Sequence, residues 1–277
     1  MGAKRTREEM EGQPKAEGAQ SPFMPMFEQF RAELDEHHDR RERIIKASRD
    51  ITAASKKLIF ALQRIRSLGE AVPQHVAKSN KQHHETIRAQ FASVSRDLQG
   101  LNAYRYSKQI TGGCQEWMEA ASFQHYLEHA QLLSFDDAAK QLRELDQDGP
   151  GVELSAEDWV LGIYDMTGEL MRFAITAMAT IGELPAPKSS SEDMDMDTAV
   201  KRTVLTDMRE LRAALEALEA GAGPFAKDVD KKAEVMRQSV EKVEKALYGL
   251  IVRGAERPRG WMPDTDAGPG RAVEVEG

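Results

Sequence analysis

The chain lacks most of what stabilises small secreted proteins or anchors a chain in a bilayer. Cys114 is its one cysteine in 277 residues, so no intrachain disulfide can form and a reducing compartment suits it. No run of about 18 apolar residues is present to span a membrane, and the N-terminus lacks a signal-peptide core. A soluble intracellular protein is expected, cytoplasmic or nuclear. Lys4, Arg5 and Arg7 fit a short nuclear signal, although such clusters are more often solvated tail. G-x-S-x-G, P-loop, dinucleotide and C-x-x-C patterns are also missing, which removes the common nucleophile, nucleotide and redox motifs. Aromatic residues are scarce at 6% while charged ones reach 30%, and the long Ala/Leu/Glu/Lys/Arg runs make this the composition of long helices. The fold class is therefore all-α. A net charge of −8 argues against a simple duplex-DNA binder, yet an average over the chain can hide a basic face.

Punctuation divides the chain. Residues 1–22 are rich in Gly, Glu, Gln, Lys and Pro and read as a disordered tail. One helical domain is expected over 23–254, broken by a flexible, acidic, proline-containing loop at 183–197, with a mobile tail over 255–277. No Gly or Pro interrupts 27–66, and Ile44, Ser48, Ile51, Ser55, Leu58, Leu62 and Ile65 repeat in steps of three and four. That spacing predicts a first long helix with a narrow buried seam. Its two serines leave room for a neighbouring helix to come close. Further helices are predicted over about 73–98, 101–130, 155–182, 198–220 and 225–253, with a short one after Asp136 and Asp137. Gly112 and Gly113 within the third mark a close backbone approach or a kink. Leu205, Met208, Leu211, Leu215 and Leu218 are expected to face Val235, Val240, Val243, Leu247 and Leu250 as an antiparallel pair.

Two acidic pairs stand on apolar seams. Glu116, Glu119, Phe123 and Leu127 share one helical stripe. Asp165 and Glu169, one turn apart, flank the seam of Trp159, Ile163, Met166, Leu170, Phe173 and Ala177. Carboxylates facing an interior need positive partners. Structural ion pairs are one reading, with Arg172 placed to meet Glu169. The other is a hard-cation site for Mg²⁺ or Mn²⁺, if the two helices lie side by side. An oxygen-only cluster is unlike di-iron bundles, which need two Glu-x-x-His motifs. It suits phosphodiester hydrolysis, in which the metal activates water and stabilises the leaving oxygen.

The first helix supplies a counterpart. Lys46, Arg49, Lys56, Lys57 and Arg64 fall within an arc of about 100°, and from Arg40 to Arg66 the only acids are Glu42 and Asp50. Most charged outer faces are simply solvated, but a single sign makes an RNA-binding surface the live alternative. His125, Glu128 and His129 match the H-x-x-E-H pattern of inverted zinc peptidases. Such a short pattern arises easily by chance, and no third ligand follows it. His83, His84 and Glu85 splay around their helix and read as surface.

The residues also carry a family resemblance. LDEHHDRRERIIKASRDITAASKKLIFALQRI, CQEWMEAASFQHY, LGIYDMTGELMR and KKAEVMRQSVEKVEKALYGLIVRGAERP resemble segments of the translin family, above all its catalytic branch, the translin-associated factor X proteins. The resemblance implies a seven-helix translin-like bundle of long antiparallel helices. It implies a Mg²⁺-dependent endoribonuclease site at Glu116, Glu119, Asp165 and Glu169, working within a translin-containing hetero-octamer. Implied substrates are short RNAs, including small-RNA passenger strands and transfer-RNA precursor fragments. The competing expectation is a non-catalytic, translin-like RNA- or DNA-binding scaffold subunit.

Overall fold

A computed structural model of the protein describes residues 21–187 and 202–253. The expected tails, and most of the loop expected at 183–197, lie outside the described residues. Eight α-helices and no strand occur among them: α1 Met24–Leu62, α2 Gln74–Val94, α3 Leu101–Arg105, α4 Ser107–His129, α5 Phe135–Glu144, α6 Ala156–Ile181, α7 Val204–Glu216 and α8 Pro224–Arg253. Seven of these have ten residues or more, matching the expected seven-helix class; α3 is a five-residue addition. A 3₁₀ turn, Ser95–Leu98, completes the second predicted helix. The third predicted helix is broken at Tyr106, which leaves helical geometry (φ −107°, ψ 10°) and separates α3 from α4. None of the described helices is long and apolar enough to cross a membrane.

The chain divides into two compact units, up to Glu42 and from Arg43 onward. In the first unit α1 is exposed except at the half-buried His37 and Arg40, and Phe23 just before it and Phe27, Phe30 and Leu34 on it fall three and four residues apart, in water. In the second unit every member of the predicted α1 seam is buried, including Ser48 and the fully enclosed Ser55. The serine spacing has the anticipated consequence. Ser48 meets Gly113 on α4, whose amide donates to Ser48 Oγ at 3.0 Å. A Cβ on Gly113 would lie 3.1 Å from Ser48 Cα, so the pair of small residues sets how closely α1 crosses α4.

A second close approach joins α4 to α6. A Cβ on Gly162 would come within 2.7 Å of Met118 Cβ and Cγ, well inside contact distance. Met118 lies between Glu116 and Glu119 on α4, and Gly162 one turn before Asp165 on α6. Without that glycine the two acidic pairs would be held further apart. Around this contact Phe91 meets Trp117 edge-on at 6.1 Å and Phe123 meets Phe173 at 6.5 Å.

Helix boundaries follow local chemistry. Ser134 caps α5 and Ser155 caps α6, each hydroxyl accepting an amide three residues on. Asp158 does not return to the Ser155 backbone as a capping box would. Its carboxylate instead takes hydrogen bonds from Thr111 and Gln115 on α4. Ala130 and Gly182 end α4 and α6 in left-handed conformations. The expected pairing of α7 with α8 is only part of the C-terminal packing. α8 packs chiefly along α6 and less on α7, burying Val229, Ala233, Met236, Val240 and Val243. Val235, expected on the inner face, is 59% exposed, because α8 turns the 229–233–236–240 stripe inward rather than the one that holds residue 235.

Candidate carboxylate site and its relatives

Glu116 and Glu119 on α4 and Asp165 and Glu169 on α6 come together where Gly162 lets the two helices touch. Their charges are close enough to act on one another: Asp165 and Glu169 both raise the pKa of Glu116 and of Glu119. The four are not equivalent. Glu169 is buried and fully engaged: Gln63 Nε2 donates to its Oε2 at 2.8 Å and to its backbone carbonyl at 2.9 Å. Arg172 Nη1 stands 3.0 Å from the other carboxylate oxygen, so the expected Arg172–Glu169 pair forms. Asp165 takes an ion pair from Lys232 of α8, whose ammonium also reaches the Leu161 carbonyl at 3.5 Å. Glu116 lies 3.6 Å from Lys56 Nζ.

Glu119 is the exception. Among the described residues it has neither an ion pair nor a side-chain hydrogen bond. Burial, then the neighbouring charges of Asp165, Glu116 and Glu169, push its carboxyl up to about 8, with Lys232 opposing. Burial likewise raises Glu116, with Lys56 offsetting part of the rise. With Glu119 protonated, the other three carboxylates are each met by one cation, and ionising Glu119 adds a charge that no paired cation meets. Among the described residues no group of three or more His, Cys, Asp or Glu side chains is already set around a metal position. Three of the four acids turn instead toward lysine or arginine.

Lys46, Arg49, Lys56, Lys57 and Arg64 are all exposed. Lys56 leaves the basic row to meet Glu116, so the row runs up to the edge of the acidic cleft. Gln63 and Lys232 escaped the sequence reading. Gln63 neighbours Arg64 in a row read for its charges, and Lys232 is 67 residues from Asp165. No helical period links residues that far apart.

The histidine pattern resolves differently. The His125 and His129 rings stack at 4.4 Å and 23°, so they lie face to face rather than converging edge-on upon one ion. His129 Nδ1 is 3.1 Å from the His125 carbonyl oxygen. Together with His84, Gln124 and Glu128 they line a cleft of about 460 Å³ that includes none of the four clustered acids.

With this geometry in place, the comparisons with known proteins identify the class. The Translin family model matches residues 39–254, and the chain belongs to that family. Within it, translin-associated protein X of Mus musculus is 32% identical over 262 residues, covering 88% of this chain and 83% of its own. The translin-associated protein X homolog of Schizosaccharomyces pombe is 31% identical over 232 residues, covering 83% and 89%. Translin of Gallus gallus is 24% identical over 235 residues, covering 84% and 93%. Among solved structures, AfC3PO bound to duplex RNA superposes with a TM-score of 0.58 at 18% identity, over 84% of this chain and all of that one. The shared fold is a translin-type all-α bundle.

Proposed function

We propose that the chain is a metal-dependent endoribonuclease subunit that cuts single-stranded or short RNA within a translin-containing hetero-oligomer, an octamer. The observation that carries this reading is Glu119, a half-buried carboxylate with no cation of its own beside three other acids. A purely structural cluster would be expected to pair every member, as it pairs the most buried one, Glu169. Greater likeness to translin-associated protein X than to translin supports the same branch. The duplex RNA in the AfC3PO complex supports RNA as the ligand class.

The donor set is all oxygen and fits Mg²⁺ or Mn²⁺ rather than a softer metal. Glu116, Glu119, Asp165 and Glu169 would hold the ion. When bound, it supplies activation of water and stabilisation of charge on the phosphate and leaving oxygen. The rest falls to the chain's own side chains. Gln63 fixes the orientation of Glu169 through two hydrogen bonds from one amide. Lys46, Arg49 and Lys57 on α1 and Arg64 in the turn that follows it offer phosphate contacts, and Lys56 carries that row to Glu116. Glu119, pushed up to about 8, keeps its proton near neutral pH and would have to release it to serve as a ligand.

A second reading has its own support, since Lys56, Lys232 and Arg172 already pair with three of the acids. On that reading the subunit binds nucleic acid without cutting it. Cleavage of a labelled single-stranded RNA by the full chain with its translin-type subunit separates the two. Internal cleavage with Mg²⁺ or Mn²⁺, absent in EDTA and in Glu119→Ala, is the expected result. RNA binding with no cleavage under any condition would leave the scaffold reading standing.

A further inference from the structure

We propose that Lys232 is an RNA-phosphate anchor controlled by the acidic site. It is parked on Asp165 while the carboxylates lack a divalent cation, and freed to grip a phosphate when a cation takes Asp165. The inference rests on the carboxylate–metal reading above and adds a residue that links occupancy of the acids to hold on the substrate.

Three cations touch the cluster, and Lys232 differs from the other two in position. The side chains of Lys56 and Arg172 are 65% and 67% exposed, whereas that of Lys232 is 24% exposed. Lys56 and Arg172 reach the acids from outside, while Lys232 stands within the cleft on α8. Its charge acts on Glu119 as well as on Asp165. Among the described residues, its only acceptor besides Asp165 is the Leu161 carbonyl, at the 3.5 Å limit of a hydrogen bond. Once Asp165 serves a divalent cation, that cation repels the ammonium and withdraws its only strong acceptor. The weak carbonyl contact does not hold an ammonium in place. A lysine has three donors on a four-carbon stem and binds phosphate as a point charge. The anion available at such a moment is the backbone of the RNA in the cleft.

The structural alternative is that Lys232 merely staples α8 to α6. That seam is already closed by Val229, Ala233, Met236 and Val240, all buried, so an additional polar tie is not needed to hold it.

The experiment measures affinity for a labelled single-stranded RNA across a salt series, in EDTA and in Ca²⁺. It uses the full chain with its translin-type subunit. In Ca²⁺, Lys232→Met is expected to bind about tenfold more weakly than wild type, and its log–log salt slope should be shallower by about 0.7. In EDTA the two proteins should coincide. Lys232→Arg should retain most of the Ca²⁺-dependent affinity. Asp165→Asn, which unparks the lysine, should bind RNA in EDTA as tightly as wild type does in Ca²⁺; it also decides the question if Lys232→Met does not fold. Equal affinity of Lys232→Met and wild type in Ca²⁺, an equal loss in both buffers, or wild-type binding indifferent to Ca²⁺ would each overturn the anchor. Cleavage in Mg²⁺ is scored separately. Cutting without the Ca²⁺-linked difference removes the anchor and leaves the nuclease, whereas the linked difference without cutting removes the nuclease and leaves the anchor.

Discussion

Helix α4 carries two sets of side chains that both look like metal chemistry in the sequence, and only one of them gathers acids from a second helix and the cations that pair with them. On one side Glu116 and Glu119 meet Asp165 and Glu169 of α6, Lys232 of α8, and Lys56 on α1. On the other, His125 and His129 stack on each other, and burial followed by the nearby His129 keeps His125 below its ordinary pKa. Spacing within a helix shows which side chains share a face. It does not show whether another element brings matching chemistry to that face. A site needs both, and here the difference lies in Gly162, which admits Met118 and so draws α6 onto the acidic side.

The contrast between the two sides can be broken most severely by removing one acid. Asp165→Asn is expected to lower RNA cleavage by about a hundredfold or more, whereas His129→Gln should leave it within about twofold. Equal losses in a single-turnover assay would mean that both sides of α4 belong to the chemistry. Gly162→Ala tests the close approach itself. Forcing a methyl group against Met118 should cost about 1–3 kcal/mol, read as a lower melting temperature, and cleavage should fall further than stability alone accounts for. An unchanged melting temperature would show that α6 can move off α4 freely.

Acidity sharpens the comparison further. Glu119 keeps its proton to about pH 8 in the folded chain, against an ordinary value of 4.5. Between those values the native state binds more protons than the unfolded state, so this group's contribution makes the cation-free protein less stable as pH rises through the window. On the proposed metal-site reading a divalent cation would have to displace that proton, so its affinity and its stabilising effect should grow over the same range. Melting scans in EDTA and in Mg²⁺ at about pH 6 and about pH 9 check both signs, and Glu119→Gln should flatten the dependence. The smallest effect is expected on the basic face. Charge reversal at Lys46, Arg49 or Lys57 should weaken RNA binding modestly and reduce its salt dependence by about one counterion per site. Unchanged affinity and slope would make that face ordinary solvated surface.

Much of this architecture was legible before any coordinates. The α1 seam, the serines that let a neighbouring helix come close and the two acidic pairs all follow from periods of three and four within single helices. What could not be read depended on helices far apart in the chain. Lys232 lies in a quoted segment of α8, yet nothing local marks it as the partner of Asp165. Val235 was assigned inward from its apolar character, whereas α8 is rotated by its packing on α6, and that rotation is a property of the pair. Tyr106 breaks the third predicted helix without any glycine or proline to announce it.

The stripe of Phe23, Phe27, Phe30 and Leu34 has a consequence for how the protein is made. Four large apolar side chains standing in water at the start of one helix make the yield of usable subunit depend on how quickly that stripe is covered. On the proposed hetero-oligomer reading, synthesis without the companion subunit would enrich chains that chaperones retain or proteases clear.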